Sequence, residues 1–218
     1  MTDLEKLFSE AKVLAVPITS DRGLCGGVNG AIMRPMRRIG AGKDVSFVLV
    51  GDRARSALSR PLGPQTIEAF TGTSKVIPPP FITASAIAQT VAATPKESAV
   101  FGWNYFKNAM SYETRVTKLP KLEAVLADTS GIQEYEIEGN AEETIQNLYE
   151  YSYAMFMYYF LVETGVVEQS QRMIAMESST KNATELIDKL RLLYNRTRQS
   201  RITTELVEII SGAAALDD

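Results

Sequence analysis

Residues 141–216 read AEETIQNLYEYSYAMFMYYFLVETGVVEQSQRMIAMESSTKNATELIDKLRLLYNRTRQSRITTELVEIISGAAAL, and this stretch decides how the chain is built. It contains no proline and only two glycines, Gly165 and Gly212, and its apolar residues recur with helical spacing. A helix of roughly 75 residues is about 110 Å long, whereas the roughly 140 residues before it form a globule only about 35 to 40 Å across. Most of the helix must therefore bury its apolar stripe on something other than the body of this chain.

Alternating steps of three and four residues from Ile145 trace one apolar stripe, called here the seam. The seam positions are Ile145, Leu148, Ser152, Met155, Tyr159, Val162, Val166, Gln169, Met173, Met176, Thr180, Ala183, Ile187, Leu190 and Tyr194. A seam sustained over about seven heptads indicates a coiled coil. Near Thr197 the seam slips by one residue and continues through Ile202, Leu206, Ile209, Ala213 and Leu216. The partner helix is a missing segment, another copy of the chain or another protein.

Charge and apolarity change along the last part of this helix. Lys189, Arg191, Arg196, Arg198 and Arg201 form a basic run without an intervening acid. A charge run is usually a solvated helix face, but these residues occur on several sides of the helix, which suggests a collar that faces acidic neighbours. The residues that follow, 209–216, are small and apolar nearly all round, so we expect them to lie in an apolar socket.

The residues before the helix predict an α/β domain. An apolar run, Val13 to Thr19, leads through the glycine loop Gly23 to Gly30 into residues 31–39, which have helical spacing. A second apolar strand, Val45 to Val50, is followed by a short helix, Arg53 to Arg60, for which Asp52 is the expected cap. Strands alternating with helices indicate a parallel sheet covered on both faces, a doubly wound, Rossmann-like domain.

The sheet is expected to end in antiparallel strands. A third strand over Gln65 to Phe70 and a helix over Ala84 to Ala93 precede two alternating segments, Ala99 to Met110 and Tyr112 to Leu119, which predict a hairpin. The acidic segment that follows is expected to be irregular, with the boundary near Gly139. The predicted organisation is an α/β domain over residues 1–139 and the long helix over residues 140–218.

The glycine loop admits two interpretations. A glycine loop between a strand and a helix often holds a phosphate, because free N–H groups and the helix dipole converge there. Gly23, Gly26, Gly27 and Gly30 match neither dinucleotide nor P-loop spacing, and no lysine lies where it would reach a phosphate. The favoured interpretation is a tight turn anchored by Asp21 and Arg22, with Cys25 as a small buried or semi-buried side chain.

Composition excludes several kinds of chemistry. The chain has 218 residues, of which 45% are hydrophobic and 22% charged, as in a folded domain with an extension. A net charge of −3 argues against a protein that coats nucleic acid. The chain has no histidine and one cysteine, so histidine-dependent catalysis and a thiolate zinc site are not available. We expect no cofactor, no metal and no catalytic residue.

The carboxyl-terminal motifs resemble a known family. Residues 187–216, with Tyr-Asn-Arg-Thr-Arg-Gln at 194–199 and Ile-Ile-Ser-Gly-Ala-Ala-Ala-Leu at 209–216, are similar to the last helix of the γ subunit of F-type ATP synthase. The loop Ser20-Asp-Arg-Gly-Leu-Cys-Gly26 and the segment Glu168-Gln-Ser…Arg172-Met…Ala175-Met176 resemble further motifs of that family. The residues of the two carboxyl-terminal motifs are more similar to mitochondrial members than to bacterial ones, and the resemblance extends from about Val13 to the end of the chain.

The resemblance implies a non-catalytic rotor subunit that couples proton flow to conformational change in the catalytic head. Its implied partners are the α3β3 head, the c-ring and the δ/ε central-stalk subunits, on the matrix side of the mitochondrial inner membrane. The implied contacts with the β-subunit catch loops are Arg198, Gln199, Thr203 and Glu205. Those of the apolar bearing are Ile209, Ile210, Ala213, Ala214 and Leu216, and those of the foot on the c-ring are Tyr135, Glu136 and Glu138.

Members of that family begin with a long N-terminal helix that winds against the C-terminal one. This helix is expected to be lacking here and would be the partner that the seam requires. Two alternatives of other classes stay open at this point: a nucleotide-binding α/β enzyme with its site in the loop Gly23 to Gly30, and a coiled-coil adaptor that oligomerises through the seam.

Overall fold

The computed structural model describes residues 12–40, 45–128, 131 and 135–214. The strands are β1 (Val13–Pro17), β2 (Val45–Val50), β3 (Thr66–Phe70), β4 (Ser98–Asn108) and β5 (Ser111–Pro120). The helices are α1 (Val28–Gly40), α2 (Asp52–Leu62), α3 (Phe81–Ala93), α4 (Leu122–Ala127) and α5 (Ala141–Ala214), with a 3₁₀ turn at Gly63–Gln65.

The strands form one mixed sheet in the order β3-β2-β1-β4-β5. The pairs β1–β2, β1–β4 and β2–β3 are parallel, and β4–β5 is an antiparallel hairpin. The central strand β1 is buried at every position, because helices cover both faces of the sheet and leave no side of this strand for polar residues. The predicted parallel sheet with an antiparallel end is confirmed.

Successive residues of β1 supply two different cores, since side chains alternate across a strand. Val13 and Ala15 pack with α1 and α2, through side chains such as Ile32, Met36 and Leu58. The neighbouring residues of β1 pack on the opposite face with α3 and with the first turns of α5. The domain therefore has three layers, and α5 is part of one of them.

Roughly the first nine turns of α5 belong to the packed domain. One compact unit of the chain ends at Ile174, and a second begins at Ala175. Within the first unit, Tyr153, Met157 and Phe160 of α5 are buried against the sheet, and the ring of Phe160 stacks on Trp103 with a centroid distance of 4.9 Å. The predicted domain boundary at 139/140 lies just before the first residue of α5, Ala141, and stays a prediction.

The described part of the second unit, residues 175–214, is helical. Every residue from Met176 to Ala213 is classed as exposed, including the large apolar side chains. The predicted long helix is confirmed as one α-helix from Ala141 to Ala214.

Three local features differ from the sequence-based expectations. Helix α1 starts at Val28, so Gly30 lies inside it. The segment expected to be irregular contains the short helix α4. Asp52 is not the cap of α2: the cap position is Gly51, and the N–H of Asp52 donates to the carboxylate of Asp21, 2.9 Å away. The capping carboxylate thus comes from the glycine-loop region, 31 residues earlier.

Candidate functional site

Asp21 joins three segments at the carboxyl ends of the parallel strands. Its Oδ1 accepts from the N–H groups of Asp52 and Gly72, at 2.9 and 2.8 Å. Its Oδ2 accepts from the N–H and the hydroxyl of Ser74, at 2.7 and 3.0 Å. The carboxylate also lies at the amino terminus of α2, where the helix dipole favours a negative charge. Asp21 is therefore the anchor predicted from the sequence, and its acceptor capacity is used within the domain.

The same loop contains a buried polar cluster of Ser20, Cys25 and Asn29. The amide of Asn29 donates to Ser20 Oγ at 2.8 Å and to Cys25 Sγ at 3.3 Å, and its carbonyl accepts from the N–H of Ser20 at 3.0 Å. Cys25 is 1% exposed. The prediction that Cys25 is a small buried side chain is confirmed.

Two arginines close over Gly23. A Cβ at this position would lie 2.3 Å from Nη2 of Arg53. On another side, Nη2 of Arg172 donates to the carbonyl of Gly23 at 3.4 Å and to Glu168 Oε1. The loop is held by contacts with α2 and α5, which is the geometry of a structural turn that packs helices against the sheet.

The residues assigned to the catch contacts all lie on the exposed second unit. Thr203 donates its hydroxyl to the carbonyl of Gln199 at 2.9 Å, and Glu205 pairs with Arg201 at the same distance. Among the described residues, Arg198 forms no ion pair. The arrangement leaves the guanidinium of Arg198 in water, where another protein can reach it.

The other assigned contacts are also solvent-facing where they are described. Ile209 and Ile210 are 69% and 66% exposed, and Ala213 is exposed. Leu216 and the side chain of Ala214 lie outside the described residues. The foot residues Tyr135, Glu136 and Glu138 are exposed and immediately precede α5.

Helix α5 has two apolar faces within the first unit, and sequence reasoning found only one. The seam residues Leu148, Met155 and Met173 are 55%, 41% and 60% exposed. A second face, called here the docking face, consists of Tyr153, Met157, Phe160 and Leu161, which are buried against the sheet. Their helical spacing is visible in the sequence, and this spacing is the signal that predicts a second apolar stripe. Ile145, the first seam residue, is buried at 8% exposure, whereas these later seam residues stay available for another chain because the docking face holds α5 to its own domain.

Membrane-spanning helices and metal sites are the remaining possibilities for the described part of the chain. None of its helices combines the length and apolarity that crossing a bilayer requires. No cluster of three or more Asp, Glu or Cys side chains within it is arranged to hold a metal ion.

The α/β domain anchors the start of α5, and the exposed remainder of this helix carries an apolar face. These two features together define a class of protein, a subunit of a larger assembly. A family model described as ATP synthase matches residues 2–216. The rat mitochondrial ATP synthase F(1) complex subunit gamma is 39% identical over 94% of this chain and 77% of the rat protein. The ATP synthase gamma chain of the bacterium Paramagnetospirillum magneticum is 36% identical over 93% of this chain and 73% of that protein.

Solved structures agree with this result. A chain of the Tetrahymena thermophila mitochondrial ATP synthase central stalk and c-ring matches with a TM-score of 0.71 and 29% identity, over 83% of both chains. A chain of the Euglena gracilis mitochondrial ATP synthase has the same fold, with a TM-score of 0.84 over 98% of this chain and 76% of that one, at 23% identity. The chain belongs to the gamma-subunit family of ATP synthase, whose members are non-catalytic rotor subunits of the central stalk.

Proposed function

We propose that this subunit transmits torque between a proton-driven c-ring and the α3β3 head of a mitochondrial ATP synthase, on the matrix side of the inner membrane. Two of its relatives support this proposal. The rat relative is mitochondrial, and the similar Tetrahymena chain comes from a structure of the central stalk and c-ring. The δ/ε subunits of the central stalk are further partners. In this proposal, proton flow turns the subunit, and the turning changes the conformation of the catalytic subunits.

One observation carries the proposal. Helix α5 is built into the core of an α/β domain through the docking face, and from Met176 onward all of its described side chains up to Ala213 are exposed. Ile187, Leu190 and Leu206 are each at least half exposed, and such a run of large apolar side chains is stable in water only when it is covered. A rotor shaft satisfies both requirements, because the domain holds its base and foreign chains surround its length.

The contacts within the assembly are assigned by position. Arg198, Gln199, Thr203 and Glu205 face the β-subunit catch loops, and Ile209, Ile210, Ala213, Ala214 and Leu216 form the bearing tip. Tyr135, Glu136 and Glu138 form the foot that meets the c-ring. The exposure of the described members supports these assignments, since each can be reached by a partner. Different contacts with each of the three β subunits would bias their conformations differently.

The test is charge reversal of Arg198 in the assembled ATP synthase. We expect Arg198→Glu to lower ATP-driven proton pumping per ATP hydrolysed by about fivefold, which corresponds to about 1 kcal/mol of contact free energy, with little loss of head assembly. Lys181→Glu, the same charge change at another exposed site on α5, is the control. Pumping that is unchanged in Arg198→Glu, or reduced equally in the control, would contradict the assigned contact.

The nucleotide-binding alternative is tested separately. The loop Gly23 to Gly30 is packed against Arg53 and Arg172, so we expect no stoichiometric binding of ATP or NAD to the purified chain. Equilibrium dialysis measures this directly, and specific binding at one site per chain would favour the enzyme.

A further inference from the structure

A small cavity lies between the segment that follows β3 and helix α5. Its volume is about 10 Å³, counted as the space open to the centre of a water molecule. It is lined by Ile18, Thr19, Thr73, Ser74, Ile77, Pro79, Leu161, Thr164, Gly165 and Glu168. All of the lining residues belong to the first compact unit, and none of them is a seam residue or one of the assembly contacts assigned by position.

Three buried oxygen atoms of its lining have no hydrogen-bond partner among the described residues. They are Oγ1 of Thr73, Oγ1 of Thr164 and Oε2 of Glu168. These residues are 6%, 3% and 1% exposed, so bulk water does not satisfy them. Buried polar atoms without a partner are rare, because each loses its hydrogen bonds to water without replacement. Three of the residues that line this one cavity carry such an atom, which is the observation that points to a bound polar species there.

The size and charge of the cavity select the ligand. A space of about 10 to 15 Å³ on this measure holds one water molecule, and a buried water typically makes about three hydrogen bonds. Oε1 of Glu168 already accepts from the guanidinium of Arg172, so the charge of the carboxylate is compensated. A metal cation would add an unbalanced positive charge and would require about six oxygen ligands or more, whereas the cavity offers three unpartnered ones.

We propose that a single water molecule is bound in this cavity and bridges Thr73, Thr164 and Glu168. The water donates one hydrogen to Oε2 of Glu168 and uses its remaining positions for the two hydroxyl groups. Thr73 belongs to the segment after β3, and the other two residues belong to α5. The water therefore ties this segment to the base of the long helix.

The first test uses the sign of a stability change in the full chain. Thr164→Val replaces the hydroxyl with a methyl group of nearly equal size. If water is bound, this substitution removes one of its hydrogen bonds, and we expect the folding equilibrium constant to fall about fivefold, the effect of a typical hydrogen bond. In a dry cavity the same substitution would remove an unsatisfied hydroxyl and would leave stability unchanged or increased. That outcome would overturn the proposal.

A matched variant controls for the substitution itself. Thr184→Val makes the same change at an exposed position on α5, where the hydroxyl donates to the carbonyl of Thr180 in its own helix. We expect less than a twofold change there. Combining Thr164→Val with Thr73→Val tests the bridge, because two side chains that share one water are expected to be non-additive in a double-mutant cycle. Strict additivity would contradict a shared water.

Direct detection completes the test. Oxygen-17 magnetic relaxation dispersion of the full chain should show a long-lived water in the wild type and in Thr164→Ser, which keeps the hydroxyl. The signal of that water should be lost in Thr164→Val. Equal signals in all three proteins would overturn the assignment of the site. The stability of the chain should be the same in sodium, potassium and tetramethylammonium chloride. If stability instead required a small cation, that ion would occupy the cavity and the proposal of a bound water would be overturned.

Discussion

At the scale of single residues, Gly51 shows why one position tolerates only one amino acid. It lies between β2 and α2 with φ near 95°, a conformation that side chains with a Cβ rarely adopt. A Cβ there would lie 2.2 Å from the carbonyl oxygen of Thr19. The N–H of Gly51 also donates to the carbonyl of Phe70 at 2.8 Å. This glycine therefore holds the ends of three strands close together.

Gly51→Ala is expected to lower the free energy of unfolding by about 3 kcal/mol, because it combines backbone strain with a collision against main chain. Urea denaturation of the full chain measures the change. Gly63→Ala is the matched control, since Gly63 has φ of −52° and no atom within 4 Å of an added Cβ. A similar loss of stability in both variants would show that the left-handed conformation of Gly51 is not the cause.

Lys96 is a second residue with a strong local environment. Its ammonium group donates to the main-chain carbonyls of Val91 and Thr94 at the end of α3 and lies 5.9 Å from the ring centre of Tyr153. Burial lowers the pKa of Lys96 from 10.5 to about 8. Between about pH 8 and pH 10.5, the amine of Lys96 is therefore protonated in the unfolded chain and largely unprotonated in the folded chain.

The stability of the wild type relative to Lys96→Met should therefore rise with pH between about pH 8 and pH 10.5. The expected gain is about 1 kcal/mol, since partial exposure of the side chain screens the effect. Below pH 8 the amine is charged in both states and the relative stability should be flat. Urea denaturation at a series of pH values measures it, with Lys181→Met as the control for loss of an exposed charge. A relative stability that falls or stays level above pH 8 would contradict the expected burial.

At the scale of elements, α5 has two functions on two faces of one helix. The docking face contributes large buried side chains to the domain core, and the seam remains exposed in the same turns. Phe160 and Phe156, one turn apart, differ in burial at the edge of the docking face: Phe160 is 2% exposed, whereas Phe156, which is not a seam residue, is 44% exposed. The same residue type thus serves the core in one case and the surface in the other.

Phe160→Ala is expected to destabilise the first unit by about 3 to 5 kcal/mol, the usual cost of truncating a buried phenylalanine. Phe156→Ala makes the same chemical change on a half-exposed side chain, and about 1 kcal/mol is expected. Near-ultraviolet circular dichroism during urea denaturation reports on the packing of Trp103 against this helix. If the two variants unfold at the same urea concentration, the base of α5 is not held through the docking face.

The sequence predicted the elements whose signal is local. The strand Val45–Val50 matches its expected bounds, and the hairpin of β4 and β5 lies where alternation predicted it. It did not predict α4, whose six residues are too few for a helical period to stand out. Asp52 was the expected cap because it precedes a helical pattern. The true acceptor, Asp21, is distant in sequence, so only the fold brings it there.

At the scale of the whole molecule, the second unit consists of helix that needs a partner. Its described side chains from Met176 to Ala213 are exposed, and the seam through Ile187, Leu190 and Tyr194 is half to two-thirds exposed. The apolar area left in water along the seam is the driving force for assembly, because burying it on another chain is favourable.

Ile187→Gln is therefore expected to weaken retention of the subunit in the assembled ATP synthase by about tenfold, the effect of losing one buried aliphatic side chain. The stability of the free chain should change by less than about 0.5 kcal/mol, since the residue is exposed there. Leu192→Gln, the same kind of change at a 71% exposed position outside the seam, is the control. Retention is measured by the subunit that remains bound after a salt wash. Equal losses for both variants would show that the seam is not the interface.

The sequence by itself determined the long helix, its seam and the order along the chain of the five strands and the longer helices, because hydrophobic periodicity is a local property of neighbouring residues. It also carried the motifs by which the family is identified. Only the tertiary structure decided which apolar stripe of α5 packs on its own domain, which carboxylate caps α2 and where three buried oxygen atoms meet around one cavity. Each of these depends on residues far apart in sequence, and their proximity is created only when the sheet and helices pack.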